Sequence, residues 1–399
     1  MNFEPSAVAR DHLERLHAFM EECVHPAEAE YAEDRLARGP HDHTVPPVVE
    51  ELKTEARSRG LWNLFLPAIS GLSHVDYAQL AEVMGRSPVL APEACNCAAP
   101  DTGNMELLHL FATEEQRQRW LQPLMDGSIR SAFAMTEPDV ASSDATNVAT
   151  RIERDGDEYV LHGCKWWISG AADERCQLFI VLGQTNPTAE RHQRHSMILV
   201  SRGTAGMTIG RSQPVFGFQD QPGHCEVSFD GARLPASNLL GTDGGGFAMA
   251  QARLGPGRVH HAMRTIGMAE RALELMCRRA NDRIAFGRPL AEQGVVRRTV
   301  AECRLAIDQV RQLVLRTAWL LDYGDASSAR HEIAEIKIAA PRVAVMVLDE
   351  AIQLHGAAGL GDTTPLAGLW AHARSLRIAD GPDAVHLDQL GRWELRRWA

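Results

Sequence analysis

The sequence predicts an α+β fold laid out as three consecutive blocks: helical, then β, then helical. Apolar residues recur at helical spacing towards both ends of the chain. Between them the pattern shifts to short alternating or β-branched runs separated by turn residues. Size agrees, since 399 residues exceed one ordinary core and call for two or three domains.

In the first block, residues 1–128, Val8 to Val24 and Val48 to Leu61 place apolar residues on one helical face. Thr113 to Gln116 reads as a capping box ahead of Trp120 and Leu121. The second block, residues 129–240, is expected to be a β domain. Val148 to Glu153, a turn at Asp155-Gly156, and Tyr159 to His162 suggest a hairpin, followed by strands at Ser196 to Val200, Met207 to Ile209 and Cys225 to Phe229. Gly244-Gly245-Gly246 reads as a flexible joint, after which helices resume across the third block, residues 241–399. Breaks are expected near Gly287-Arg288-Pro289, Gly324-Asp325 and Gly356 to Pro365. Met263, Ile266, Ala269, Leu273 and Met276 mark one apolar face, and Ala301, Leu305, Ile307, Val310 and Val314 another, as in an antiparallel bundle.

Composition narrows the function. A net charge of −11 with no basic run argues against a nucleic-acid partner. No apolar stretch reaches the roughly 18 residues that cross a bilayer, so no integral membrane segment is expected. Glu4, Asp11, Glu14, Glu21 and Glu22 make the start unlike a secretory leader or an acid-poor transit peptide, and a cytoplasmic protein is the expectation. The eight cysteines lack paired C-x-x-C spacing, so neither a disulfide framework nor zinc is indicated, and Cys95 and Cys97 read as buried thiols. His260 and His261 diverge by about 100° on a helix, and no metal is expected. Phosphate-loop and Rossmann glycine motifs are absent, so a bound dinucleotide must be held by another geometry.

Two segments offer groups for a polar planar ring. Ala132-Phe-Ala-Met-Thr-Glu-Pro-Asp-Val-Ala-Ser-Ser-Asp-Ala-Thr-Asn147 gathers hydroxyls and backbone donors around a proline turn, which a capped turn would also explain. Lys165-Trp-Trp-Ile-Ser-Gly170 sets two indoles beside a hydroxyl, which sheet core would also explain. Together they resemble the acyl-CoA dehydrogenase family, whose middle domain carries a T-E-P motif and, some thirty residues later, K-x-W-I-[ST]. The order of blocks is that family's order, and the resemblance spans nearly the whole chain.

The resemblance implies an N-terminal helical domain, a middle β domain and a C-terminal four-helix bundle. It implies FAD as cofactor, lined by Phe133, Met135, Thr136 and Ser142, with Trp167 over the ring system and Ser169 near its reactive nitrogen. The loop is one residue longer than the usual T-E-P-G-A-G-S-D, leaving Ser142 and Ser143 interchangeable as flavin-side and substrate-side hydroxyls. Arg283-Ile-Ala-Phe-Gly287, Gln293 and Gln353-Leu-His-Gly356 with Gly359 resemble elements that reach the FAD of a neighbouring subunit. Arg283, Phe286, Gln293, Gln353 and Gly356 are therefore expected to serve a homo-oligomer, dimer or tetramer, with shared cofactor sites. Arg283 suits a pyrophosphate because its guanidinium forks match phosphate oxygens, although a surface helix charge would read the same way.

The catalytic base is expected at Asp380. Taking an α proton from a thioester needs a carboxylate in a water-poor cleft. Asp380-Gly-Pro-Asp383 interrupts two helical stretches and can project one from a turn, although such a tetrapeptide alone reads as an Asx turn or N-cap. Asp380 precedes Gly381 as the family's usual catalytic glutamate precedes glycine in E-G-T. Aspartate is one methylene shorter, and Pro382 replaces threonine. Some family members place the base just before the arginine matching Arg258, but here that residue is Gly257. Arg258 is expected to fix the base loop or a polar substrate group, with a structural salt bridge as the competing account.

Thr136 to Asn147, Gly255-Pro-Gly-Arg-Val-His-His261 and Ala379 to Asp383 resemble the branch fused in animals to an aminoglycoside-phosphotransferase-like kinase domain. The activity implied is α,β-dehydrogenation of an acyl-CoA thioester to the trans-2-enoyl-CoA, with electrons passed to an electron-transfer flavoprotein. A nitroalkane oxidase-like enzyme and a non-enzymatic helical scaffold are the alternatives of the same fold.

Overall fold

The computed structural model describes residues 1–324 and 329–399, with side chains left out at 254–256. It forms two compact units: Met1–Pro26, Glu55–Pro92 and Gly257–Ala399 make up one, and Ala27–Thr54 and Glu93–Pro256 the other. We call them the bundle unit and the sheet unit.

Helices open the chain where their caps and apolar spacing require. Ser6 Oγ accepts the Ala9 amide to start α1 (Ala7–Phe19), which runs through a single wide turn at Met20–Val24 into α2 (His25–Arg38). α3 covers Pro47–Ser58, and Ser73 caps α4 (His74–Gly85). α5 spans Asp101–Phe111, and the capping box of Thr113 and Gln116 is present.

The sheet unit holds eight strands: β1 (Arg130–Ala134), β2 (Arg151–Asp155), β3 (Glu158–Ser169), β4 (Cys176–Gln184), β5 (His195–Ser201), β6 (Met207–Ser212), β7 (His224–Pro235) and β8 (Leu239–Leu240). Their order is β6-β7-β3-β2-β4-β5-β8, with β1 parallel to β4. The expected hairpin is β2–β3, in which Asp155 faces Glu158 and the turn residues are Gly156 and Asp157, one position beyond the pair marked by sequence. Alternation does not reveal β1 or β4. β4 is an almost unbroken apolar run, Phe179 to Leu182 being buried on both faces, and such a run carries no period.

The three glycines correct an expectation. A Cβ would lie 2.8 Å from the Gln193 carbonyl at Gly244, 2.8 Å from Thr242 Oγ1 at Gly245 and 2.7 Å from the His195 carbonyl at Gly246. The run is a close-packed corner rather than a flexible joint.

From it runs α6 (Gly246–Asp282), then the short hairpin β9 (Ile284–Ala285) and β10 (Arg288–Pro289). α7 (Gly294–Tyr323), α8 (Arg330–His355), α9 (Leu366–Ser375) and α10 (Asp383–Arg397) complete the helical block. The break expected at Gly324-Asp325 falls partly on Asp325, outside the described residues. Met263, Ile266, Ala269, Leu273 and Met276 are all buried, as their spacing requires. On α7 the buried face is Cys303, Ile307, Val310 and Val314, whereas Ala301 and Leu305 are exposed. Those two sit a half-turn away from the buried stripe, a correction to the expected face. In the bundle unit α4 and α6 cross so closely that a Cβ at Gly85 would meet the Arg264 carbonyl and one at Gly267 the Glu82 carbonyl. No helix among the described residues is long and apolar enough to cross a membrane.

Candidate active site

In the sheet unit the two motifs are physically one structure. Lys165 is wholly buried on β3, and its Nζ donates to the carbonyls of Met135 (3.0 Å) and Leu182 (2.6 Å) and to Glu137 Oε1 (2.8 Å). Three acceptors take the three ammonium protons. Glu137 in turn accepts the amides of Ala149 (2.7 Å) and Thr150 (2.8 Å). Burial resists ionisation of Glu137, but the Lys165 charge and these hydrogen bonds outweigh it and hold the pKa below the usual carboxylate value. The Trp166 amide donates to the Thr136 carbonyl at 3.0 Å. The T-E-P loop is thereby locked to the sheet. Thr136 itself is exposed, and Phe133 and Met135 are half-buried.

Ser142 Oγ accepts the Glu137 amide at 2.9 Å and so closes this loop, while Ser143 is exposed. Phe133 lies under the guanidinium of Arg253, 4.1 Å from the ring centre.

Trp167 reaches the surface through a bulge. The β3–β7 register pairs Lys165 with Val227 but Ile168 with Cys225, so β3 carries one residue more than its partner. Trp167 takes φ 54° and keeps 41% of its surface exposed. Beyond the bulge Ser169 hydrogen-bonds His224 Nδ1 at 2.9 Å. An outward indole face, with the Ser169 hydroxyl two residues on and the exposed Thr136 tied to the strand through the Trp166 amide, suits an isoalloxazine: apolar stacking surface and polar edge partners.

The second group lies in the bundle unit, in the turn between α9 and α10. Asp380 has φ 56° and Gly381 φ 104°. Arg258 on α6 donates twice to the Asp380 carbonyl, from Nε at 3.2 Å and Nη2 at 3.0 Å. Lys337 on α8 is buried and donates to the carbonyls of Leu376 (2.6 Å) and Gly381 (3.1 Å). His386 Nε2 approaches the Asp380 carbonyl at 3.4 Å. Arg342 and Arg377 fix the far end of the turn through Asp383 Oδ2, at 3.0 and 2.9 Å. Arg258 thus holds the base loop through main chain.

The Asp380 carboxylate faces His261 Nε2 at 3.6 Å, and both line a small cavity with Arg258, Thr265, Lys337 and Leu376. Burial, reinforced by Arg264, depresses His261 to about 3 against the pull of Asp380. Burial, then Arg258 and Lys337, lowers His386 to about 4. Both rings are neutral near pH 7, whereas Arg258 and Lys337 both feel the Asp380 charge. Burial lowers Lys337 to about 8 despite Asp380. Sequence reasoning missed His261, Lys337 and His386. Lys337 and His386 meet main-chain carbonyls, which carry no residue-type signal, while His261 stands in the segment ending Arg-Val-His-His261, where the sequence assigns it no role beside the base.

A third group, also in the bundle unit, points outward. Phe286 and Gly287 join β9 to β10 with φ 53° and 80°, a two-residue turn of the primed type. Phe286 is fully exposed. Arg283 and Gln353 are exposed, Gln293 Oε1 accepts from Arg288 at 3.0 Å, and Gly356 ends α8 at φ 63°. Among the described residues no group of three or more His, Cys, Asp or Glu could hold a metal ion.

Comparison with known proteins places this architecture. Family models for the acyl-CoA dehydrogenase N-terminal, middle and C-terminal domains match residues 8–128, 132–232 and 244–395. Helical, β and helical domains in this order define a class of FAD-binding oxidoreductases. The chain belongs to the acyl-CoA dehydrogenase family. It is 60% identical over 397 residues to "Probable acyl-CoA dehydrogenase FadE2" of Mycobacterium tuberculosis, covering 100% of this chain and 98% of that one. It is 50% identical to acyl-CoA dehydrogenase family member 11 of Gallus gallus, covering 98% of this chain but 51% of that protein. The chain therefore spans about half the length of its animal relatives. A Mycobacterium abscessus structure ascribed to the same family shares 50% identity, with a TM-score of 0.95 over 99% of this chain and 100% of its own.

Proposed function

We propose that the protein is an FAD-dependent acyl-CoA dehydrogenase that converts an acyl-CoA thioester to the trans-2-enoyl-CoA, with Asp380 as the base. The observation that carries this reading is the Asp380 turn: a left-handed aspartate whose carbonyl is gripped by Arg258 and His386, with Lys337 on the carbonyl of Gly381 and the Asp380 carboxylate lining a cavity. Fixing the turn through its backbone orients the carboxylate, which is what proton abstraction requires.

In this reading the Cα–H bond breaks and Asp380 takes the proton. The freed pair forms the double bond, and a hydride leaves the β carbon. Bound FAD supplies the hydride acceptor. Phe133, Met135, Thr136, Ser142, Trp167 and Ser169 would hold it, with Ser143, Arg258 and Gly381 on the substrate side. Arg283, Phe286, Gln293, Gln353 and Gly356 would reach the FAD of a second copy, in a dimer or tetramer, and an electron-transfer flavoprotein would accept the electrons. A fully exposed phenylalanine held at positive φ supports that role, because an exposed turn tip has no need of a bulky apolar residue.

Asp380→Asn tests the assignment, since asparagine tolerates the left-handed region. The variant should stay yellow yet lose anaerobic bleaching by acyl-CoA; bleaching at the native rate removes the assignment. Native protein that ignores acyl-CoA but consumes oxygen with nitroalkanes would be an oxidase, and colourless protein that cannot be loaded with FAD a scaffold.

A further inference from the structure

Ser169 ends a chain of three side chains that the bulge assembles within the sheet unit. Without the extra residue in β3, Ile168 would face His224. With it, Ser169 and His224 are direct cross-strand partners, and Ser169 Oγ lies 2.9 Å from His224 Nδ1. The other ring nitrogen, Nε2, lies 2.9 Å from Asp220 Oδ2. Asp220 reaches it because the chain turns tightly before β7, the Gly223 amide bonding the Asp220 carbonyl at 3.2 Å. Gly223 sits at φ 68°, where a Cβ would be 2.6 Å from that of Ala172. Trp167 flanks the same imidazole, with ring centres 5.8 Å apart.

The chain has a direction. A carboxylate only accepts, so Asp220 fixes the proton of a neutral imidazole on Nε2 and leaves Nδ1 an acceptor. Nδ1 must then be served by the Ser169 hydroxyl proton. With its proton turned towards His224, Ser169 shows lone pairs to whatever lies on its open side.

We propose that His224, held by Asp220, is a positioning residue that makes Ser169 a hydrogen-bond acceptor rather than a donor towards the flavin edge. The proposal rests on the reading that Ser169 meets the flavin near N5. Reduced flavin carries a proton at N5 and oxidised flavin a lone pair there, so an acceptor favours the reduced form. A serine free to rotate would favour neither, because it can donate to one and accept from the other.

The test uses the FAD-loaded protein in three measurements. Isotope-labelled histidine spectra, with the His224 signals assigned by their loss in His224→Leu, should show the Nε2–H tautomer. The flavin midpoint potential of His224→Leu should fall by about 30 mV, a tenfold shift in a two-electron equilibrium. Asp220→Asn should release the tautomer preference and move the potential in the same direction by less. An Nδ1–H tautomer or a doubly protonated ring in the native protein overturns the proposal. So does an unchanged potential in His224→Leu when Ser169→Ala shifts it. If Ser169→Ala leaves the potential unmoved while the Nε2–H tautomer is present, the assumed contact of Ser169 with flavin is what fails, and the flavin half of the proposal falls with it.

Discussion

The T-E-P loop and the Asp380 turn both hold a carboxylate in place, and they do so in opposite ways. Glu137 is anchored through its side chain: Lys165 and two amides take its oxygens, and it is buried. Asp380 is anchored through its main chain, with Arg258 and His386 on its own carbonyl and Lys337 on that of Gly381. The first arrangement uses the carboxylate as a structural bolt. The second positions the turn through peptide groups, whose hydrogen bonds do not depend on the protonation state of the carboxylate. A buried acid that already accepts three hydrogen bonds is a poor base, because those bonds favour the ionised form.

Exchanging each acid for its amide separates the two roles. Asp380→Asn should lower the rate of acyl-CoA-dependent flavin reduction by at least 10²- to 10⁴-fold, the usual contribution of a general base, with Tm nearly unchanged. Glu137→Gln should do the reverse in kind, costing about 3–5 kcal/mol of stability by leaving the Lys165 ammonium buried without its partner. Denaturant titration of the two variants side by side reads the contrast; equal stability losses would erase it.

Lys337→Met tests whether grip on the main chain matters for rate. Methionine fills similar space but leaves the Leu376 and Gly381 carbonyls without their donor, so stability should fall by about 1–3 kcal/mol, while kcat falls about tenfold with KM little changed. The pH dependence sharpens this. The folded pKa of Lys337, about 8, lies below its ordinary 10.5. The folded protein therefore sheds this proton before the unfolded chain does, and this group's contribution makes stability rise with pH between about 8 and 10.5. The ammonium that grips the two carbonyls is present below pH 8 and lost above it. The native rate should fall above about pH 8, and that break should vanish in Lys337→Met.

The smallest effect is expected at Phe286. Phe286→Asn relieves a left-handed phenylalanine and should change the stability of an isolated chain by no more than about 1 kcal/mol. Sedimentation should nonetheless show weaker self-association and less bound FAD. Unchanged association would remove the outward-facing tip from the proposed subunit contact.

Local pattern was enough for most of the helices, the β2–β3 hairpin, the Thr113 capping box and the apolar face of α6, because caps, turns and periodicity act over a few residues. It was not enough for β4, whose continuous apolar run has no period, or for α7, where Ala301 and Leu305 are as apolar as the residues that are buried. The glycines at 244–246 advertised flexibility, and only the carbonyls of His195 and Gln193 show that they answer a need for space.

The same boundary runs through the candidate site. Sequence alone determined which residue types stand in the T-E-P, K-W-W-I-S and A-D-G-P-D segments, since these are contiguous and can be read as strings. Tertiary structure alone decided that Glu137 bolts to Lys165, that a bulge sets Ser169 opposite His224, and that Lys337 and Arg258 hold the Asp380 turn from 44 and 122 residues away. The reason is physical: apart from the Lys165–Glu137 ion pair, whose partners lie 28 residues apart, these contacts end on peptide carbonyls or depend on strand register, and neither leaves a mark on the identity of the residues involved.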